Sequence, residues 1–401
     1  MQTAGIIIEY NPMHDGHLYL LEQVRAQLGA DTAFVGVMSG NFVQRGDFAL
    51  LRKHARARAA VESGVDLVLE LPLPWAVSSA ERFARGGVAL LAAAGATRLA
   101  FGSEAGALSG LAQAAAALDS DGFSQVLQPY LKEGLSFASA RQKALGQLLG
   151  PAAVVLETPN NLLGIEYLRA IRSLAPEMEP FTVPRVGAAH HSTAEQAGFR
   201  SATALRSLLL DGALEEACGG MPEPAAEILG REWERERCPA ALDHNARGIF
   251  TRLRTMTAAD FAALPDCGEG LEHRLVRAAQ ASTTLEECYA QVKSKRYAHA
   301  RVRRLILWAY LGLTAADCPE QPPYLRVLGL TEDGRGVLRR AKELGRLPIV
   351  TKPAAVKALD AGRQRQFAVD ARAEALWALC LPRLIPAASE WRATPIVIKK
   401  G

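Results

Sequence analysis

Short apolar runs alternate with amphipathic stretches along the first hundred residues. Gly5 to Ile8 is almost continuous isoleucine, the pattern of a central strand covered on both faces, and Tyr10-Asn11-Pro12 ends it. A helical pattern follows to about Leu28. Thr32 to Met38 reads as a second strand, which ends in Ser39-Gly40-Asn41-Phe42-Val43-Gln44-Arg45-Gly46-Asp47. Next come a helix from Lys53 to about Ser63 and a strand from Asp66 to Leu71, stopped by Pro72 and Pro74. A helix opened by Ser78-Ser79 runs through Ala94, and a fourth strand, Thr97 to Phe101, ends in Gly102-Ser103-Glu104. Strands separated by helices are joined by crossovers, not hairpins, so the pattern predicts an α/β fold with a doubly wound parallel sheet.

From Leu108 to about Leu149 the pattern is alanine-rich and helical, with breaks at Gly122, Pro129 and Gly134, as an inserted helical layer beside the sheet would be. Pro159-Asn160-Asn161 opens a further helix, Met178 to Pro184 reads as one more strand, and Ser201-Ala202-Thr203 opens a helix with Arg206 one turn in. Beyond Asp211 the periodicity is helical. The expected division is a sheet domain with its helical insertion over residues 1–210 and a mainly helical region over 211–401.

Composition narrows the class. With 401 residues and 49% hydrophobic positions the chain has ample material for two or three cores. No uncharged apolar run is long enough to span a bilayer and the first residues do not resemble a secretion signal, so a cytoplasmic protein with no membrane partner is expected. Six cysteines, all in the second half and without metal-ligand spacing, predict reduced thiols and no protein-held metal. The net charge of +4 is mild, but it is concentrated locally. Lys293, Lys295, Arg296, Arg301, Arg303 and Arg304 fall in twelve residues without a carboxylate, running into Leu305-Ile306-Leu307-Trp308. One face of that helix can be buried while the other meets RNA phosphates or solvent. Tyr297 and Tyr324 are either core residues or platforms for a splayed base.

The candidate chemistry lies where the first strand enters the first helix. His14-Asp15-Gly16-His17 places two imidazoles at a helix start, where unpaired N–H groups and the positive end of the dipole favour anions. Two rings facing one α-phosphate suit nucleotidyl transfer, in which positioning and charge neutralisation do most of the work. Lys53, at the start of another helix, reads as a triphosphate contact or as an exposed lysine. Gly102 lies at a strand end where a nucleoside can pack on backbone. Of Asn160 and Asn161, one caps a helix and the other is left for a ligand. Ser201 and Thr203 cap their helix or grip outer phosphates.

The His-x-Gly-His segment resembles the signature of the HxGH nucleotidyltransferase superfamily, and Ser201-Ala202-Thr203 resembles the segment that closes its catalytic domain. The set Glu9-Tyr10-Asn11-Pro12, Met38 to Gly46, Glu70-Leu71-Pro72, Phe101 to Glu104, Pro159-Asn160-Asn161, Lys295-Arg296-Tyr297 and Tyr324 to Gly329 is similar to the tRNA(Met) cytidine acetate ligase family. That resemblance implies an enzyme that forms acetyl-adenylate from ATP and acetate, with Mg²⁺ accompanying ATP, and acetylates N4 of the wobble cytidine of elongator tRNA(Met). It implies ATP contacts at Ile7, Ile8, Glu9, Tyr10, Asn11, Pro12, Met13, His14, Asp15, Gly16, His17, Leu18, Tyr19, Leu20, Gly102, Asn160 or Asn161, and Arg185. Met13, Asp15 and His190-His191-Ser192 depart from the family pattern. A small-molecule adenylyltransferase of the nicotinate mononucleotide or pantetheine phosphate type, and a non-catalytic RNA-binding protein with a nucleotide fold, are the other two readings.

Overall fold

The structure is a computed structural model that describes residues 2–185 and 199–399. β1 (Thr3–Ile8) leads into α1 (Asp15–Leu28), then β2 (Ala33–Ser39), a hairpin of β3 (Phe42–Val43) and β4 (Asp47–Phe48), α2 (Lys53–Glu62), β5 (Leu67–Leu71), α3 (Leu73–Ala76), α4 (Ala80–Ala93) and β6 (Arg98–Ser103). The alanine-rich layer is α5 (Leu108–Leu118), α6 (Asp121–Lys132) and α7 (Phe137–Leu149), and α8 (Pro159–Leu174) and β7 (Glu179–Pro184) complete the crossover. α9 (Ala202–Leu210), α10 (Leu214–Cys218) and α11 (Glu223–Glu234) follow. The second half holds α12 (Ala246–Arg254), α13 (Ala258–Ala262), α14 (Leu271–Ala281), α15 (Leu285–Val292) and α16 (His299–Leu311), and then β8 (Leu325–Leu330), α17 (Glu332–Leu344), β9 (Ile349–Val350), α18 (Ala361–Trp377) and β10 (Ile396–Val397).

The sheet runs β10-β8-β5-β2-β1-β6-β7, with β9 beside β8. β5, β2, β1, β6 and β7 are parallel neighbours, as the alternation predicts. The sheet is mostly parallel, and β8 is the antiparallel exception, pairing with β5 with Leu67 opposite Leu330. The chain leaves the sheet after β7, builds the helical layers, and returns to cover the β5 edge, which would otherwise show unpaired N–H and C=O groups. Residues 211–324 are helical as expected, whereas 325–399 give three strands back to the sheet.

Alternation along each strand feeds two cores. Val35 and Val37 pack beneath α4, α5 and α8, while Phe34 and Met38 pack on the opposite side with α1, α2, α9 and α11. A third core gathers α12 to α16 and α18, and it takes in Phe42 and Phe48 of the hairpin and Leu73 and Val77. Two indoles tie that core to the sheet half. Trp308 Nε1 donates to the Val77 carbonyl and Trp377 Nε1 to the Ala49 carbonyl, each at 2.8 Å. The six cysteines are free thiols.

Candidate active site

The β1–α1 turn is built so that its histidines face one another. His14 is the N-cap of α1: its Nδ1 accepts from the Gly16 N–H at 3.1 Å, and the His17 Nδ1 accepts from the His14 N–H at 3.2 Å. This is a capping box with imidazoles in place of hydroxyl and carboxylate. The rings stack with centroids 3.8 Å apart, and Tyr10 lies 4.7 Å from the His17 ring. Since both Nδ1 atoms accept, each neutral ring carries its proton on Nε2. Burial, with His14 and Arg185 nearby, holds His17 well below the usual imidazole value, so it is a neutral donor at pH 7.

Other parts of the predicted ATP segment are structural. Ile8, Tyr10 and Met13 are core side chains, Pro12 is buried, and Ile7 packs on the opposite core. Only their backbone is left to meet a ligand. Asn11 is committed to the hairpin: its amide donates to the Phe48 carbonyl at 3.2 Å and accepts from the Leu50 N–H at 2.8 Å. The Glu9 carboxylate accepts from the Gln44 N–H at 2.7 Å and the Ser39 hydroxyl at 3.3 Å, and burial raises its pKa. Asp15 sits in the first turn of α1, its N–H donating to the Gly220 carbonyl at 3.2 Å. Leu18, Tyr19 and Leu20 are half-buried on the flank of α1, with Tyr19 5.8 Å from Phe199.

A second helix start stands opposite the first. Ser201 caps α9 by accepting from the Ala204 N–H at 3.1 Å. Arg206 bridges the two ends, donating to the Asn11 carbonyl and the Thr203 hydroxyl, both at 3.0 Å. Thr203 is thus drawn into this bridge. The side wall is β6. A side chain at Gly102 would meet the Arg185 stem at 3.2 Å, so the glycine makes room for an arginine that faces Glu104 and His17. The Glu104 carboxylate, not an asparagine, accepts the first N–H groups of α8, from Asn160 at 3.4 Å and Asn161 at 2.9 Å, and the Asn160 side-chain amide also donates to it at 2.6 Å. Asn161 Oδ1 accepts from the Ala105 N–H at 2.9 Å. Burial would raise the Glu104 pKa, but these bonds bring it below the usual value.

Sequence reasoning missed Arg56. Its guanidinium is fully buried and donates to the carbonyls of Glu9, Ser39, Gly40 and Leu51, so it clamps the carboxyl ends of β1 and β2. Its position one turn into α2 was visible in the sequence; its carbonyl partners were not.

Lys53 corrects an expectation. Its ammonium is buried, 2.7 and 2.9 Å from the Glu70 oxygens and 3.2 Å from Glu390, so it is already committed to carboxylates. Arg326 at 3.1 Å and His54 at 2.9 Å also hold Glu390, while Arg52 and Glu374 pair beside them at 2.5 Å. A cation at a helix start needs an anion, and here buried carboxylates supply it.

Of the basic run, Lys293 and Lys295 are exposed, and Arg296 pairs with Glu269 at 3.2 Å. Arg301 donates to the Asp266 carbonyl at 2.7 Å, Arg304 is half-buried, and Arg303 pairs with Asp47 of the hairpin at 2.7 Å. Tyr297 and Tyr324 are core residues, 4% and 1% exposed, and neither is a stacking platform. His190, His191 and Ser192 lie outside the described residues. Among the described residues no three His, Cys, Asp or Glu groups converge as metal ligands, and no helix is long and apolar enough to cross a membrane.

Residues 1–390 match the family model described as HIGH Nucleotidyl Transferase. The chain is 36% identical over 402 residues to the tRNA(Met) cytidine acetate ligase of Alkaliphilus metalliredigens, covering 95% of each chain. It is 35% identical to the protein of the same name from Kosmotoga olearia, covering 89% of this chain and 87% of that one. The crystal structure of Thermotoga maritima TmcAL in apo form I superposes with a TM-score of 0.95 at 32% identity, over the whole of both chains. Its form II, bound with alpha-thio ATP, gives 0.93.

Proposed function

Because this chain belongs to the tRNA(Met) cytidine acetate ligases of the HIGH nucleotidyl transferase family, we propose that it joins acetate to the wobble cytidine of elongator tRNA(Met) at the expense of ATP. Residues 1–210 bind ATP, and 211–401 bring the tRNA to it. The observation that supports this reading best is the stacked His14–His17 pair at the α1 start, with the α9 start bridged to it by Arg206. A fold-only relative would have no use for two stacked imidazoles whose Nδ1 atoms are fixed by backbone N–H groups at a helix start.

ATP lies with its α-phosphate over the α1 start, the adenosine against Gly102 and α8, and the outer phosphates toward Ser201 and Thr203. Mg²⁺ comes with the triphosphate as part of the substrate, which suits an ion that keeps phosphate and water ligands. Acetate, already anionic, attacks the α-phosphorus without a general base. The bond to pyrophosphate breaks and acetyl-adenylate forms. His14 and neutral His17 donate from Nε2 to the α-phosphate oxygens as charge spreads over them, and Arg185 adds a fixed cation. Cytosine N4 then attacks the acetyl carbon, loses a proton, and AMP departs. The aromatic amine is a weak nucleophile, which is why the acyl group must be activated first.

Mass spectrometry of nucleosides from tRNA(Met) incubated with the enzyme, ATP and isotopically labelled acetate tests the reading. Labelled N4-acetylcytidine is expected. Transfer of AMP to a mononucleotide or to phosphopantetheine, with unmodified tRNA, would replace it with the small-molecule adenylyltransferase.

A further inference from the structure

The 41–48 segment is fastened on two sides. Glu9 and Asn11 hold it to the β1–α1 turn. On its other side Gly46, at φ +76°, lies so close to the start of α16 that a side chain there would collide with the Arg304 backbone, and Asp47 holds Arg303 at 2.7 Å. The phosphate-binding end and the basic helix therefore meet at this segment, and Arg45 stands between them. Three guanidiniums and two carboxylates are neighbours here: Arg45, Arg206 and Arg303 with Glu9 and Asp47. Two of the arginines are committed, Arg303 to Asp47 and Arg206 to Asn11 and Thr203. Arg45 is half-buried, yet among the described residues its guanidinium makes no hydrogen bond or ion pair, with only the field of Glu9 to offset its loss of water. A half-buried cation that spends none of its donors costs stability unless a ligand takes them.

We propose that Arg45 grips a backbone phosphate of the tRNA beside the cytidine being acetylated, and so positions the amine over the acyl-adenylate. This rests on the ligase reading. A phosphodiester carries one charge on two oxygens, which suits one free guanidinium binding through two N–H groups. Asp47 and the α9 bridge keep the other two arginines from forming a general trap for triphosphate. Arg303, on the helix expected to track RNA, continues the path outward.

The test separates the half-reactions. Acetate-dependent exchange of labelled pyrophosphate into ATP reads adenylate formation, and labelled acetate in tRNA(Met) reads transfer. Arg45→Ala is expected to lower kcat/KM for tRNA roughly ten- to hundredfold, as loss of a charged hydrogen bond does, while the exchange rate stays within about twofold. Its tRNA affinity should also fall less steeply with salt, the log–log slope flattening by roughly 0.7–0.9 for one phosphate. Arg45→Lys, which keeps the charge but not the paired donors, should recover the salt slope and only part of kcat/KM. Equal loss of exchange and transfer would put Arg45 on ATP or acetate and overturn the proposal, as would an unchanged salt slope. Wild-type enzyme that exchanges pyrophosphate but leaves tRNA unmodified would defeat the ligase reading itself, a separate outcome.

Discussion

Two polar regions flank β2, and they use charge in opposite ways. On one side Lys53, Arg326, Glu70 and Glu390 form a closed cluster in which each cation has a carboxylate within 3.2 Å, and His54 bonds to Glu390 at 2.9 Å. On the other, at the carboxyl ends of β1 and β6, backbone N–H groups fix the His14 and His17 rings through Nδ1, while Arg45 and Arg185 make no side-chain hydrogen bond among the described residues. The closed cluster fastens α2 and β5 to the returning chain at β8 and Glu390. The open one keeps donors for a substrate. A buried charge is thus no sign of a site by itself; unspent donors beside a helix start are.

The comparison breaks most visibly at Lys53. Lys53→Met leaves the buried Glu70 carboxylate without its cation and removes one of the cations on Glu390, and is expected to cost about 3–5 kcal/mol, read from the urea midpoint. The fraction that remains folded should keep its pyrophosphate exchange. His17→Ala is expected to do the reverse. It should lower acetate-dependent exchange on the order of 10² to 10³-fold, about 2.7–4 kcal/mol in the transition state, with the urea midpoint moving far less than for Lys53→Met. Parallel stability loss in both variants would erase the distinction between the regions.

Acid sharpens the contrast. Burial holds His54 down to about 4 despite Glu390, against about 6.5 in an unfolded chain. Between those values the unfolded chain binds a proton that the folded one does not, so stability falls as pH drops through this window. Between pH 7 and 5 the loss from this group is about 2 kcal/mol, and His54→Gln should lose that much less than wild type over the same range. The smallest effect is expected at Ser201→Ala, where loss of the α9 cap costs about 1 kcal/mol in stability.

Much of the open site was legible because its chemistry is local. His14 and His17 are three residues apart, Ser201 caps the helix that it precedes, and the apolar runs of β1, β2, β5 and β6 announce a buried parallel sheet. Pairings across the chain were not legible. Leu325–Leu330 lies in the half that reads as helical, yet it forms a strand that enters the sheet antiparallel to β5, a pairing that only the fold brings about. Lys53 looked like a phosphate ligand because Glu70 and Glu390 approach only through the fold. Asn160 and Asn161 looked like a cap and a spare; the cap is Glu104, at the end of another strand. Arg45 carried a local signal only as an arginine in a small-residue loop at the carboxyl end of a strand, which reads equally as a crevice contact or a solvated turn; what singles it out is the absence of a partner among the described residues.

A crystal structure of this protein with alpha-thio ATP tests the central claim most directly. The account predicts His14 and His17 Nε2 at about 3 Å from the α-phosphate, Arg185 beside it, and Lys53 still on Glu70 and Glu390. A triphosphate drawn to Lys53, or imidazoles turned away from the α-phosphate, would contradict it.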